Sequence, residues 1–502
     1  MAKPISSVVI VGGGTAGWMA ALSLARMVRT EPLHITLVES SQIGTVGVGE
    51  ATIPGIVHFN HQMGLEEIAF IKATQASFKL GIRFENWSAT GQQFFHPFSD
   101  FGLPIDQVAF HHYLNRLALS GQPQNFEDFS FACALAEQAK FAQPHPQPSS
   151  PLADFNYAYH FDATLYAAYL KQHAMAAGVR HVDAQIQQVT LNPVSGFIDT
   201  LVLDTGETLS AELFIDCSGF RSLLLGEALG VGYQSWQHWL LCDAAQAVQT
   251  SRSGPILPYT RSIAMDAGWQ WRIPLQHRMG NGHIYASAFC SDESARQTLL
   301  DTVEGEVLNS PRKLSFTPGR REVIWHKNCF ALGLASGFLE PLESTSISLV
   351  QTALAKLQAF FPDQDFAPAG IAEVNRLHNT ELENIRDFLI LHYKLSARRD
   401  SEFWRYCAAM QVPDSLQHKM DLYRERGHLA QYDQESFKAS SWLAMYNGYG
   451  FQAQGFDPRA GQVPLELMQQ RLAQLQQSLR QAATSAISHQ EFIARHCAAI
   501  II

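Results

Sequence analysis

Residues 8–11 (Val-Val-Ile-Val) form an unbroken apolar run, the pattern of a strand buried on both faces. Six residues rich in glycine follow, then a mostly apolar stretch over 18–27 that reads as a helix, then a second apolar run over 35–39. Strand, glycine turn, helix and strand in this order predict a βαβ unit and a parallel sheet. Residues 65–74 read as a helix. From 78 to 87 the period changes to two: Phe78, Leu80, Ile82 and Phe84 share one face, and Lys79, Gly81, Arg83 and Glu85 the other. That alternation predicts one strand with Lys79 on its polar side.

The Pro/Ser-rich stretch 142–152 predicts an exposed connector. A helix over 161–177 and strands over 178–189, 198–204 and 213–217 come next, the strands being expected to rejoin the first sheet. Short alternating runs between about 235 and 325 predict a second, β-rich sheet. From Glu381 onward the pattern is helical. Its Gln-rich end, 465–485, repeats Leu465, Leu472, Leu475 and Leu479 at helical spacing, which predicts a helix with a solvated face. No repeat of 20–50 residues is present. The expected class is α/β, with residues 1–380 as one module and 381–502 as a helical C-terminal subdomain.

At 502 residues the chain is long enough for two or three lobes around a large core. Lys+Arg number 36 and Asp+Glu 46, a net charge of −10, so no overall pull toward nucleic acid or an anionic membrane is expected. Only 16% charged and 46% hydrophobic residues argue against disorder. The seven cysteines are scattered singly and the histidines lack ligand spacing, so neither a disulfide framework nor a metal site is expected. The chain runs from Met1 almost directly into its first strand and has no apolar window of membrane-spanning length. The expectation is a cytoplasmic protein without signal peptide or membrane span.

Gly12-Gly13-Gly14-Thr15-Ala16-Gly17 matches G-x-G-x-x-G between strand and helix. The first glycine permits the turn, the second lets backbone approach a pyrophosphate, and the third lets the helix pack on the sheet. Glu39 ends the second strand, where an acid accepts hydrogen bonds from a ribose hydroxyl. A second glycine-rich loop, Gly44-Thr45-Val46-Gly47-Val48-Gly49-Glu50-Ala51-Thr52, favours a flavin over a nicotinamide, because a long planar cofactor must be strapped down. Two apolar strands ending in small residues, at 213–219 and 329–337 (the latter with Leu334), suit further backbone approach. Gly226 to Gly232 lacks the strand and helix of a second dinucleotide unit. Read alone, Trp269 and Trp271 are core aromatics, Lys79 is a solvated strand residue, His96 is an ordinary histidine and 341–347 is a capped turn.

Together these segments resemble the tryptophan-halogenase family of flavin-dependent halogenases. The likeness rests on 11–18, on Gly47-Val48-Gly49-Glu50-Ala51-Thr52, on Lys79 in Phe-Lys-Leu-Gly-Ile, on Gly268-Trp269-Gln270-Trp271-Arg272-Ile273-Pro274, and on Glu340-Pro341-Leu342-Glu343-Ser344-Thr345, all in family order. It implies a flavin monooxygenase-type, Rossmann-like FAD-binding fold with a second β-rich sheet and a helical C-terminal substrate subdomain. FAD, as FADH2, would be held by Gly12 to Gly17, Glu39, Gly49, Glu50, Ala51, Leu334 and Ile347. Reduced FAD and O2 would turn a bound halide into hypohalous acid, which travels to Lys79. The lysine would act as a haloamine or as a hydrogen-bond donor, and Glu343 would polarise the oxidant or take the arenium proton.

The resemblance further places the halide at the backbone of Thr345 and Ser346, where Ser346 stands in place of the family's glycine. It places the aromatic substrate against Ile82, His96, Phe98 and Ser344, and the flavin behind Trp269 and Trp271. The paired tyrosines that clamp an amino-acid zwitterion in tryptophan-specific members are missing from 432–449, which favours indole, a substituted indole or a phenol. Reduced flavin is expected from a separate NAD(P)H-dependent reductase, and a homodimer is left open. The competing readings are a flavin-dependent aromatic hydroxylase and a flavin-binding protein without turnover.

Overall fold

The run 8–11 is the strand Ser7–Val11, and it lies inside a six-stranded sheet. His34–Glu39 and Arg180–Asp183 follow on one side, all parallel; Leu213–Asp216 and Cys329–Ala331 lie parallel on the other, with Trp325–His326 antiparallel at the edge. The helix Thr15–Ala25 connects the first two strands and packs against the helix Ala163–Ala176. The strand order reverses between Ser7–Val11 and Leu213–Asp216, and a crevice for a ligand opens at the carboxyl ends of strands at such a point. Val9, Val11, Val38 and Phe214 share a core with Leu201, Leu203, Leu224 and Leu225.

The structure, a computed structural model, describes residues 3–42, 49–147, 150 and 152–500. Residues 44–48 of the second glycine loop, and Pro148, Ser149 and Pro151 of the connector, lie outside the described residues. The chain divides into two units. The first comprises Met1–Gln75, Phe161–His238 and Ser315–Leu382; the second comprises Ala76–His160, Trp239–Leu314 and Glu383–Ile502.

In the second unit the β-rich region joins an earlier piece of chain. A seven-stranded sheet runs Arg312–Ser315, Ala244–Thr250, Met279–Tyr285, Gly268–Pro274, Thr260–Met265, Gly81–Glu85, Gln93–Pro97. The helix Ala439–Gly448 packs on Gln93–Pro97, with Gly448 set so closely on the Phe94 ring that a Cβ would stand 2.3 Å from it. The helix Leu465–Ser485 forms as its spacing predicts, burying Met468, Leu472, Leu479 and Ala483.

Four expectations are corrected. The run 78–87 is two strands, Ser77–Lys79 and Gly81–Glu85. Leu80 leaves the ladder: its N–H donates to the Pro258 carbonyl (2.7 Å) and its carbonyl accepts from Phe98 N–H (2.9 Å). The first strand therefore pairs with Ala158–Asp162 and the second with Gln93–Pro97, and Lys79 is buried, not on a polar face. The predicted helix 161–177 starts at Ala163, because the Asp162 carboxylate caps it by accepting from Thr164 and Leu165 N–H. The run 178–189 splits into Arg180–Asp183, which joins the parallel sheet, and Ile186–Leu191. Ile198–Leu203 does not rejoin that sheet; it pairs antiparallel with Ile186–Leu191.

Candidate active site

The glycine loop stands at the reversal point of the first unit's sheet. Gly12 has φ +109°, and a Cβ there would meet the Cys217 carbonyl oxygen at 2.3 Å. At Gly13 a Cβ would strike the Glu39 carboxylate at 1.6 Å, and at Gly17 the Gly12 carbonyl oxygen at 1.8 Å. Gly14 differs: its Cβ would meet nothing within 4 Å. The protein does not require that glycine, but a ligand laid on the loop would. Gly14 also caps the helix Thr15–Ala25 without a side chain, and the first turn contains no acid. The uncapped N–H groups of Ala16 and Gly17 are suited to phosphate oxygens.

Glu39 is where the second strand ends, and its Oε1 is engaged by Lys171 Nζ (2.9 Å) and His181 Nε2 (2.9 Å). Sequence reasoning missed both partners, which come from the helix Ala163–Ala176 and the strand Arg180–Asp183. Gly49, Glu50 and Ala51 form a short strand; desolvation pushes the Glu50 carboxyl up to about 7. Leu334 lies in the turn Gly333–Ala335, where a Cβ on Gly333 would stand 3.1 Å from Ala16 Cβ. The N–H donors of Ala16 and Gly17 and the open space at Gly14 fit a dinucleotide.

The same unit carries the Glu343 segment. Pro341–Glu343 forms one helical turn, Ser344 turns left-handed at φ +60°, and the helix Ser346–Ala359 begins. Glu343, Ser344 and Thr345 are buried. Thr345 caps that helix without a side-chain hydrogen bond and its first turn has no acid, so the backbone N–H groups there suit an anion. Ser346 is the first helical residue and its φ is not positive, so serine serves there without backbone strain. Ile347 is buried on this helix, which is tied to Thr15–Ala25 by Gln358 Nε2 donating to the Ser23 carbonyl (3.1 Å).

Lys79, Ile82, His96, Phe98, Trp269 and Trp271 belong to the second unit. Lys79 is fully buried at the end of its strand, opposite Ala158, and its Nζ lies 5.1 Å from the Phe98 ring centroid. Ile82 and His96 are cross-strand partners and both are buried. The His96 ring is 5.9 Å from Phe388 and 6.4 Å from Phe437, two residues that stack on each other at 3.9 Å. Those two aromatics were missed, since nothing in the local sequence ties positions so far apart. On the same face as Lys79, His160 is clamped between Ser77 Oγ (3.0 Å) and Thr260 Oγ1 (2.9 Å). Burial, and next the Lys79 charge, hold its pKa well below the ordinary histidine value.

Trp269 and Trp271 share one face of Gly268–Pro274, with ring centroids 6.1 Å apart. Trp271 faces Gly282, where any Cβ would meet the indole at 2.0 Å. Trp269 packs against Trp87 at 6.5 Å. In the helical part, the Glu435 side chain is covered and ion-paired with Lys419, whose Nζ lies 4.3 Å from both the Tyr432 and the Trp442 rings. Among the described residues no cluster of three or more His, Cys, Asp or Glu is placed to hold a metal, and no helix is long and apolar enough to cross a membrane.

A mainly parallel sheet with a phosphate-ready glycine loop at its reversal point defines a dinucleotide-binding protein of the α/β class. The tryptophan halogenase family model matches residues 7–465. The chain is 37% identical over 445 residues to tryptophan 6-halogenase SttH of Streptomyces toxytricini, covering 83% of each chain, and 35% identical over 445 residues to tryptophan 7-halogenase RebH of Lentzea aerocolonigenes, covering 84% of this chain and 83% of that one. Among solved structures it resembles BrvH, a flavin-dependent halogenase from Brevundimonas sp. BAL3, with TM-score 0.94, 46% identity and 98% and 99% coverage of the two chains. Xcc4156, a flavin-dependent halogenase from Xanthomonas campestris, gives 0.95, 43% and full coverage of both. The chain belongs to the tryptophan halogenase family and is a flavin-dependent halogenase.

Proposed function

We propose that this enzyme uses FADH2, O2 and chloride or bromide to halogenate an electron-rich aromatic such as indole or a tryptophan derivative, with hypohalous acid delivered to Lys79. The observation that carries the reading is Lys79: a fully buried amine, with Nζ over the Phe98 ring and in the same unit as the Ile82 and His96 pair. A buried amine beside aromatic walls holds a small electrophile near a ring carbon, where free oxidant would react at random. FAD, when bound, supplies the redox chemistry that oxidises halide.

Gly12 to Gly17 would hold the FAD phosphates, Glu39 a ribose, and Gly49, Glu50, Ala51, Leu334 and Ile347 the remainder of the cofactor. The backbone N–H groups at Thr345 and Ser346 would hold the halide. Glu343 would take the proton that the ring loses, and Ser344 would touch the substrate. Trp269 and Trp271 would shield the flavin side from organic substrate.

The 381–502 segment would complete the substrate site through Phe388 and Phe437, which stand near the His96 ring. Its acid Glu435 is already ion-paired with Lys419 through Oε1, so its charge is balanced within the protein. That favours an indole or phenol without a zwitterion over free tryptophan. Reduced flavin would come from a separate NAD(P)H-dependent reductase, which fits a cytoplasmic setting.

The test is incubation with a flavin reductase, FAD, NADH, bromide or chloride, and a panel of indoles and phenols, read by product mass. Halide-dependent mass gain is expected. Oxygenated product that ignores halide would favour a hydroxylase, and no product with any substrate a non-catalytic flavoprotein. Lys79→Ala is expected to abolish halogenation while reduced flavin is still reoxidised by O2.

A further inference from the structure

The strand that carries Lys79 is three residues long and stands at the edge of its sheet. Edge strands leave backbone N–H groups without a ladder partner, and a strand this short has little of its own to keep it in place. Here the partner of the Phe78 N–H is supplied from near the C-terminal end of the chain. His489, fully buried at the start of the helix His489–His496, accepts the Phe78 N–H on Nε2 (3.1 Å). Its Nδ1 lies 2.9 Å from the Ile256 carbonyl, which can only accept, so Nδ1 carries the proton and Nε2 the lone pair.

The same loop reaches the other side of the lysine, where the Leu80 N–H donates to the Pro258 carbonyl (2.7 Å). The N–H groups of Phe78 and Leu80, the residues on either side of Lys79, are thus fixed to one assembly of the tail and the 256–258 loop.

A second tie lies one residue ahead of the strand. Gln276 Nε2 donates to the Ala76 carbonyl (2.7 Å) and to the Cys497 carbonyl (3.3 Å), while Gln276 Oε1 accepts the Ala499 N–H (2.8 Å). Between the two ties the Phe78 ring stacks on Phe141 at 4.2 Å and meets Phe492 edge-on at 5.4 Å. Phe141 N–H donates to the Ile487 carbonyl (3.3 Å), and His489 N–H to the Ala139 carbonyl (2.9 Å). Burial lowers the His489 pKa to about 4, which keeps the ring neutral and able to accept. All of this lies in one unit, and residues 487–499 fall beyond the stretch that the family model matches, which ends at 465.

We infer that residues 487–499 form a clasp that sets the position of Lys79, with His489 and Gln276 as its positioning residues. The inference rests on the reading of Lys79 as the group that holds the oxidant. Its consequence is specific: the clasp residues contact the Lys79 strand and not Gly12 to Gly17, so loosening the clasp displaces the amine while the oxidant is still made but is delivered poorly.

The test uses His489→Leu, His489→Gln and Gln276→Leu in the full chain, with Lys79→Ala alongside. Five quantities are read: kcat and KM for halogenation, the rate of flavin reoxidation, product formed per flavin reoxidised, and hypohalous acid caught by a scavenger in solution. For His489→Leu the expectation is kcat down about tenfold or more, KM within about threefold, flavin reoxidation unchanged and more escaped oxidant. Glutamine offers an amide acceptor and donor in place of the two ring nitrogens, so His489→Gln should recover most of the loss. Gln276→Leu should shift product per flavin in the same direction, and it carries the test if His489→Leu does not fold. Wild-type product per flavin in the leucine variants, or a glutamine variant as impaired as His489→Leu, would overturn the clasp while an inactive Lys79→Ala left the lysine reading standing. Full halogenation by Lys79→Ala would overturn the lysine reading and the clasp with it.

Discussion

Gly14 and Gly17 belong to the same motif, yet their side-chain vectors meet different things. A methyl at Gly17 would stand 1.8 Å from the Gly12 carbonyl oxygen, whereas at Gly14 it meets nothing within 4 Å. Gly14→Ala should therefore leave the melting temperature of the flavin-free protein within a few degrees of wild type and weaken FAD binding at least about tenfold, as titrated by flavin fluorescence. Gly17→Ala should lower the melting temperature itself. Glu343 is buried on a tight turn followed by the left-handed Ser344. Glu343→Gln keeps the shape and removes the base, so halogenation should fall about 10²-fold while reduced flavin is still consumed by O2. Of these residues the glycines and Glu343 were readable as motif members. The Glu39 partners Lys171 and His181 were not, because a carboxylate's partners are chosen by which helix and strand pass beside it.

Among the elements, the strand Ser77–Lys79 shows how local pattern misleads. Period two held from 78 to 87, but Leu80 turns both its backbone groups to other segments, and the alternation restarts in a different sheet. Alternation reports which face is apolar and not which strand is the partner. The capped start of Ala163–Ala176 was likewise hidden inside a run that looked uniformly helical. Asp162 accepts from two backbone N–H groups there, so Asp162→Ala should cost about 1 kcal/mol, seen as a lower urea midpoint. Because that helix packs on Thr15–Ala25, the same variant should weaken FAD binding more than it disturbs Lys79 chemistry.

For the protein taken together, burial sets opposite pH dependences in different places. Desolvation first of all lowers His111 and His489 to about 4 and His378 to about 3. Each ring stays neutral in the folded chain while the unfolded chain takes up a proton below about 6.5, so their contribution is present above that pH and lost as pH falls toward 4. Glu127 runs the other way. Burial raises it to about 7, so its contribution is present below the unfolded value and lost as pH rises from about 4.5 to 7. Urea midpoints measured from pH 4.5 to 8 should show His489→Gln losing less stability than wild type on acidification. Glu127→Gln should lose less on going from pH 5 to 7.5.

The order of strand, glycine turn, helix and strand at the start was legible without coordinates, because it depends on a few adjacent residues whose types chemistry restricts. Lys79, Glu343 and the tryptophan pair were singled out by family resemblance alone, since their local patterns read as a polar strand face, a capped turn and core aromatics. Tertiary structure decided the rest. It made two units from interleaved stretches of chain, gave the Lys79 strand an edge whose amide is met by His489 from 411 positions away, and buried the lysine that alternation had placed in solvent. Such pairings depend on which backbone groups would otherwise be left without a partner. That requirement is met in three dimensions, and no spacing along a sequence records it.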